Sequence, residues 1–149
     1  MEKELPVKIK VVREGGALPA YATPGSAGFD ICAALSQPLT IAPFGRVTVP
    51  SGIAMQITQD GVAGFCFARS GLGVKHGITL SNGVGVIDND YTGEILVGLV
   101  NLSDREYTLM PGERIAQIVL IRHERAQFIQ AQSLDETQRG EGGFGSTGR

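Results

Sequence analysis

NGVGVIDNDYTGEI, residues 82–95, is a run of alternating apolar residues and glycines followed by an acidic turn. Val84 and Val86 alternate with Gly83 and Gly85, the two-residue period of a strand with one apolar face and one bare face. Glycine weakens a strand interior unless a ligand or another backbone must come close. Past Asp88, Asn89, Asp90 and Tyr91 the chain continues as EILVGLVNL, a nearly unbroken apolar run that reads as a buried strand. The segment predicts two strands joined by a short acidic turn, a central hairpin. Two meanings stay open for the turn. Asp and Asn are good turn formers, and they are also what a narrow backbone-walled slot would show with a carboxylate and a ring at its mouth.

Working outward, the same short patterns recur. Val7, Ile9 and Val11 alternate with Lys8 and Lys10, a half-exposed first strand. LTI (39–41), RVTV (46–49) and IAMQI (53–57) read as strands, with Pro43, Pro50-Ser51-Gly52 and Gln59-Asp60-Gly61 as turns between and after them. EYTLM (106–110), RIAQIVLI (114–121) and FIQA (128–131) complete the set, FIQA being the expected last strand. The 21 glycines are about twice the usual share of roughly 7%. With seven prolines they favour an all-β fold with many turns. One helix of note is expected: Ser70 suits an N-cap, residues 72–76 allow one or two turns, and Gly77 can end them. A chain of 149 residues that is 42% apolar fits one domain with a real core. The reading is a β domain over residues 1–138 and a flexible glycine-rich arm over 139–149.

Lys and Arg number 13 against 15 acidic residues, so there is no basic footprint for nucleic acid. Any phosphate must be gripped by a few placed cations or a metal. Cys32 and Cys66 lie far apart in apolar segments and read as buried free thiols. With two histidines and no CxxC pair, a zinc site is not expected. The first dozen residues are charged and lack an apolar signal core, and no run is long enough to span a membrane. The expectation is a soluble, cytoplasmic chain.

Asp30 sits in the apolar run FDICAAL, where an unpaired carboxylate costs several kcal/mol. It needs a partner, an arginine or a hydrated metal. Arg69, Ser70 and Gly71 open the short helix and read either as a capping turn or as an anion site. Gln117 is an amide in a buried strand and needs backbone or ligand partners. The tail RGEGGFGSTGR holds five glycines in eleven residues. Its G-x-G-x-x-G has no strand before it and no helix after it, which excludes a dinucleotide fold. Arg139, Phe144, Ser146 and Thr147 do supply a cation, a stacking ring and two hydroxyls on a backbone able to wrap phosphates.

Together these segments resemble the five motifs of trimeric dUTPases, in order and at family spacing. PGSAGFDICA, ARSGLGVKHG, NGVGVIDNDYTGEI, GERIAQIVL and RGEGGFGSTG are the five, and the likeness spans nearly the whole chain. Ala68 stands where proline is usual and Glu113 where aspartate is common. The resemblance implies a jelly-roll-like β subunit in a homotrimer with shared sites. It implies hydrolysis of dUTP to dUMP and pyrophosphate by water attack on the α-phosphorus, which limits uracil in DNA and supplies dUMP for thymidylate synthesis. By the same resemblance, Asn82, the backbone of Val86, Ile87 and Asp88, and Leu96 would read uracil, and Tyr91 would pack under the deoxyribose. Asp88 would activate the water. Arg69, Ser70, Gly71 and Gln117 would grip phosphates, and Asp30 would hold Mg²⁺ through a water. Arg139, Ser146 and Thr147 would close on the γ end, with Phe144 stacked on the base. Two rivals share the scaffold, a deoxycytidine triphosphate deaminase and a non-catalytic nucleotide-binding protein.

Overall fold

Strands with one apolar face must bury it, and antiparallel sheets do so by stacking those faces together. The computed structural model describes residues 4–146 and residue 148. Ten strands and one helix follow in order: β1 (Val7–Val11), β2 (Phe29–Cys32), β3 (Leu39–Ile41), β4 (Arg46–Ile57), β5 (Val62–Phe67), α1 (Ser70–His76), β6 (Ile78–Leu80), β7 (Gly85–Ile87), β8 (Glu94–Asn101), β9 (Tyr107–Leu109) and β10 (Arg114–Arg122). They build two four-stranded sheets, β1-β4-β8-β6 and β2-β10-β5-β7, with β3 and β9 as a separate pair. The expected all-β class with one short helix is what the chain adopts. Ile31, Val49, Ile53, Val97, Leu99, Ile115 and Ile118 fill the core, none more than 2% exposed. Each contributes roughly 1.5–3 kcal/mol of burial.

Three expectations are corrected. The runs at 46–49 and 53–57 are one twelve-residue strand, β4. Pro50-Ser51-Gly52 is a bulge in it, where the register against β8 shifts between Pro50 and Ala54. The Ser51 hydroxyl and Gly52 at φ +72° replace the ladder there, Ser51 accepting from the Ile53 amide at 3.3 Å. FIQA forms no strand in this chain, and Phe128 and Ile129 stand 95% and 80% exposed. Its pattern is strand-like, but among the described residues no neighbouring strand receives it.

The third correction bears on function. The central segment is not a paired hairpin: β7 pairs with β5 in one sheet, and β8 lies between β4 and β6 in the other. The glycine-rich β7 has little side-chain surface with which to hold β8, and each strand finds a better ladder elsewhere. The two diverge after the acidic turn and leave a gap between the sheets.

Residue-level detail also departs at the helix. Arg69, not Ser70, is the N-cap, and no side chain caps the first turn. Gly77 does end the helix in the left-handed region at φ 69°, its N–H returning to the Gly73 carbonyl at 3.0 Å. Past β8, the fully buried Asn101 amide donates to the carbonyls of Ile41 and Arg105 and accepts from Ser103, which fixes the turn into β9.

Candidate active site

The gap between β7 and β8 is a slot of about 280 Å³. Asn82, Gly85, Val86, Ile87, Asp88, Tyr91 and Leu96 line it, so the structure brings together the residues expected at the base and sugar except Phe144. Gly85 faces inward: a Cβ there would stand 3.2 Å from that of Cys66. Val86 is turned outward, 61% exposed on the edge strand, while Ile87 on the same face as Gly85 belongs to the core. On the opposite wall Leu96 is 55% exposed although its neighbours Ile95 and Val97 are core. An apolar side chain at an otherwise polar mouth suits the flat face of a base.

Leu80, Ile95, Val97, Gly98 and Glu94 also line the slot without any mark in the sequence, as does Cys66, which reads there only as a buried thiol. Their strand pattern reads as ordinary core, so it carried no signal of a cavity. Burial pushes the Cys66 thiol up to about 11, which makes it a neutral wall and not a nucleophile. The Tyr91 ring lies over Gly93, where any Cβ would meet its hydroxyl oxygen at 2.7 Å. Its hydroxyl donates to the Glu94 carbonyl at 2.8 Å.

A second cluster forms at the other end of the β2-β10-β5 ladder. Gln117 on β10 lies opposite both Asp30 on β2 and Phe67 on β5. Asp30 finds two arginine partners: Arg69 Nε donates to Oδ1 at 2.9 Å and Arg114 Nη1 to Oδ2 at 3.3 Å. Gln117 Nε2 donates to the Ala68 carbonyl at 3.1 Å, tethering the residues that lead into Arg69. Gly28 leaves room for it, since a Cβ there would meet Gln117 Oε1 at 2.7 Å.

Arg69 and Gly71 border a cationic hollow of about 300 Å³ with Lys75, His76, Glu113 and Arg114. Ser70, the first residue of the helix, is exposed. Arg114 was missed as a site residue; a cation opening an apolar run was the available signal. The Tyr107 hydroxyl donates to Glu113, and burial together with that carboxylate pushes it up to about 12. Glu113 is thereby committed to holding the turn before β10.

Among the described residues the arm makes no hydrogen bond or ion pair to either cluster within its own chain. Arg139 Nε donates to the Gly142 carbonyl at 2.8 Å, and the Ser146 amide to that of Gly143 at 3.1 Å. Phe144 is fully exposed. Thr147 lies outside the described residues. The two clusters are likewise separate. Ile87 pairs with Gly64, which puts Asp88 beside Ala63, six residues along the extended chain from Arg69. That is about 20 Å at the rise of a strand.

Two stacked antiparallel sheets that splay at one edge around a polar-rimmed slot define a β-sandwich protein with a small-molecule pocket. The sequence matches the dUTPase family model over residues 14–148. It is 52% identical over 144 residues to the deoxyuridine 5'-triphosphate nucleotidohydrolase of Desulfitobacterium hafniense, covering 95% of each chain. The enzyme of the same name from Aeromonas hydrophila is 47% identical over 151 residues, covering 100% of this chain and 99% of that one. The fold is similar to the dUTPase of Staphylococcus bacteriophage 80alpha solved with dUpNHpp, with a TM-score of 0.87 at 23% identity over 97% of this chain and 99% of that one. It is also similar to a mutant dUTPase of phage phi11 of S. aureus, solved with details of a structural Mg(II) ion, at TM-score 0.78 and 18% identity over 88% and 99%. The chain belongs to the dUTPase family.

Proposed function

We propose that this chain hydrolyses dUTP to dUMP and pyrophosphate, with water attacking the α-phosphorus in line. The slot carries the reading. At about 280 Å³ it lies at the small end of ligand pockets, ~300–1,000 Å³, which suits a nucleoside and leaves a triphosphate outside. Uracil would pair with the backbone of residues 86–88 and with Asn82, between Gly85 and Leu96. The Tyr91 ring would stand against the deoxyribose where a 2′-hydroxyl needs space. Asp88, at the mouth, would orient the water and take its proton.

The phosphates must then find cations, and the roughly 20 Å of strand that separates the levels of Asp88 and Arg69 keeps one chain from supplying both ends. Arg69, Ser70, Gly71 and Gln117 of a second copy would grip the phosphates. A homotrimer with shared sites meets this need. The exposed apolar side chains after β10, Phe128, Ile129 and Leu134, support contact with another copy. The arm, with Arg139, Phe144, Ser146 and Thr147, would close over the assembled site and exclude water.

Among the described residues no three His, Cys, Asp or Glu side chains converge on a cation position. A Mg²⁺ ion would be held mainly by phosphate oxygens, and Asp30, with each oxygen on an arginine, fits only a contact through metal-bound water. When bound, the ion would supply charge neutralisation on the triphosphate. The purified protein with Mg²⁺ is expected to release pyrophosphate from dUTP and to leave dCTP, dTTP and UTP nearly untouched. Ammonia release from dCTP, or turnover of none of the four, would overturn the reading.

A further inference from the structure

The Tyr91 amide donates to the Asp88 carbonyl at 3.2 Å, and its side chain is held by one hydrogen bond among the described residues, from the hydroxyl to the main-chain carbonyl of Glu94. The position of that carbonyl sets where the ring stands. Glu94 opens β8 opposite Ala54, just past the bulge in β4, where the ladder is interrupted and the backbone has least support. Its side chain replaces that support. Arg13 Nε donates to Oε1 at 2.7 Å and Arg13 Nη2 to Oε2 at 2.6 Å, a two-pronged contact. Glu94 Oε1 also accepts the Gly52 amide of the bulge at 3.0 Å.

The loop bearing Arg13 is itself fixed. The Val12 amide donates to the Gly52 carbonyl at 2.9 Å. Gly16 and Gly52 pack backbone against backbone, so a Cβ at Gly52 would stand 2.5 Å from Gly16 Cα. Arginine holds a carboxylate in plane and in direction, which lysine's point charge cannot do. Exposed ion pairs add little to stability, so the consequence of this one is geometric.

We propose that Arg13 is a positioning residue for sugar selection, clamping Glu94 so that Tyr91 stands close enough to exclude a 2′-hydroxyl. The proposal rests on the sugar-facing role of Tyr91 given above. The full-length protein is assayed for kcat/KM on dUTP and on UTP, beside the melting temperature. Arg13→Met is expected to lower the dUTP-over-UTP ratio roughly tenfold, a shift smaller than the 1 Å misplacement that can cost about 10²-fold. Tyr91→Phe, which removes only the supporting hydroxyl, should lower it similarly, and the double variant should fall no further than either alone. A ratio unchanged in Arg13→Met, whatever its melting temperature, overturns the clamp, as do additive effects in the double variant. Tyr91→Ala separates the two ideas: if it leaves the ratio at the parent value, the sugar-facing reading fails and takes the clamp with it. If it relaxes the ratio while Arg13→Met does not, only the clamp fails.

Discussion

Among the described residues, Asp88 and Glu94 are the acids that line the slot, and Asp88 is the one whose side chain has no partner. Asp30 is held by Arg69 and Arg114, Glu94 by Arg13, and Asp60 receives the Asn89 amide at 3.3 Å. Among the described residues Asp88 has no ion pair or side-chain hydrogen bond, so its carboxylate is available to a water. General-base help is typically worth 10²–10⁴ in rate. Asp88→Asn keeps the shape and loses the basicity, and should bind dUTP while turning over at least ~10²-fold slower. Calorimetry with a non-hydrolysable analogue and initial rates check both halves; an unchanged kcat would mean that another group takes the proton. The need of Asp30 for a partner was legible in the sequence, because a carboxylate in FDICAAL must be paired. Which partner was not, since Arg69 and Arg114 are 39 and 84 residues away and meet it only through sheet register.

Among the elements, two-residue periodicity located the strands but not the sheets they join. Gly83 and Gly85 announced a close approach, and it exists at Gly85, against Cys66, while Gly83 stands in open space; the hairpin that the period suggested does not form, because ladder partners are chosen at long range. Pro50-Ser51-Gly52 misled for a related reason: the residues that make turns also make bulges. The bulge matters because β8 starts beside it and Arg13 bridges the two. The Arg13 guanidinium holds the Glu94 carboxyl below its ordinary value, with the Gly52 amide adding to the effect. A carboxyl lowered by folding stabilises the fold above its unfolded value and loses that contribution as pH falls through the folded value. The melting temperature of the parent should therefore exceed that of Glu94→Gln at neutral pH, with the gap closing as the solution is acidified below the usual carboxylate range. A gap that stays constant to pH 3 would mean that the pair does not contribute to stability.

Across the whole molecule, the five resembling segments were legible in order, but a single chain does not gather them into one place. The slot, the cluster of Asp30, Arg69 and Gln117, and the arm remain apart, and no local pattern states which surface a proposed second copy would bring. The arm shows this most plainly. Five glycines in eleven residues give it no means to order itself, and among the described residues its hydrogen bonds reach back no further than Thr137. The core residues that hold the sheets together lie between Phe29 and Ile118, so none is lost when the arm is removed. Truncation before Arg139 should leave circular dichroism, melting temperature and oligomeric mass as in the parent. The same protein should lose about 10²-fold in kcat/KM on dUTP, since alignment of the phosphates by closing groups is worth at least that much. Binding of deoxyuridine alone, which needs only the slot, should be unaffected. A truncated form that kept full activity would show that the site is closed by something other than the arm, and a form that unfolded would show that residues 139–149 belong to the β domain itself.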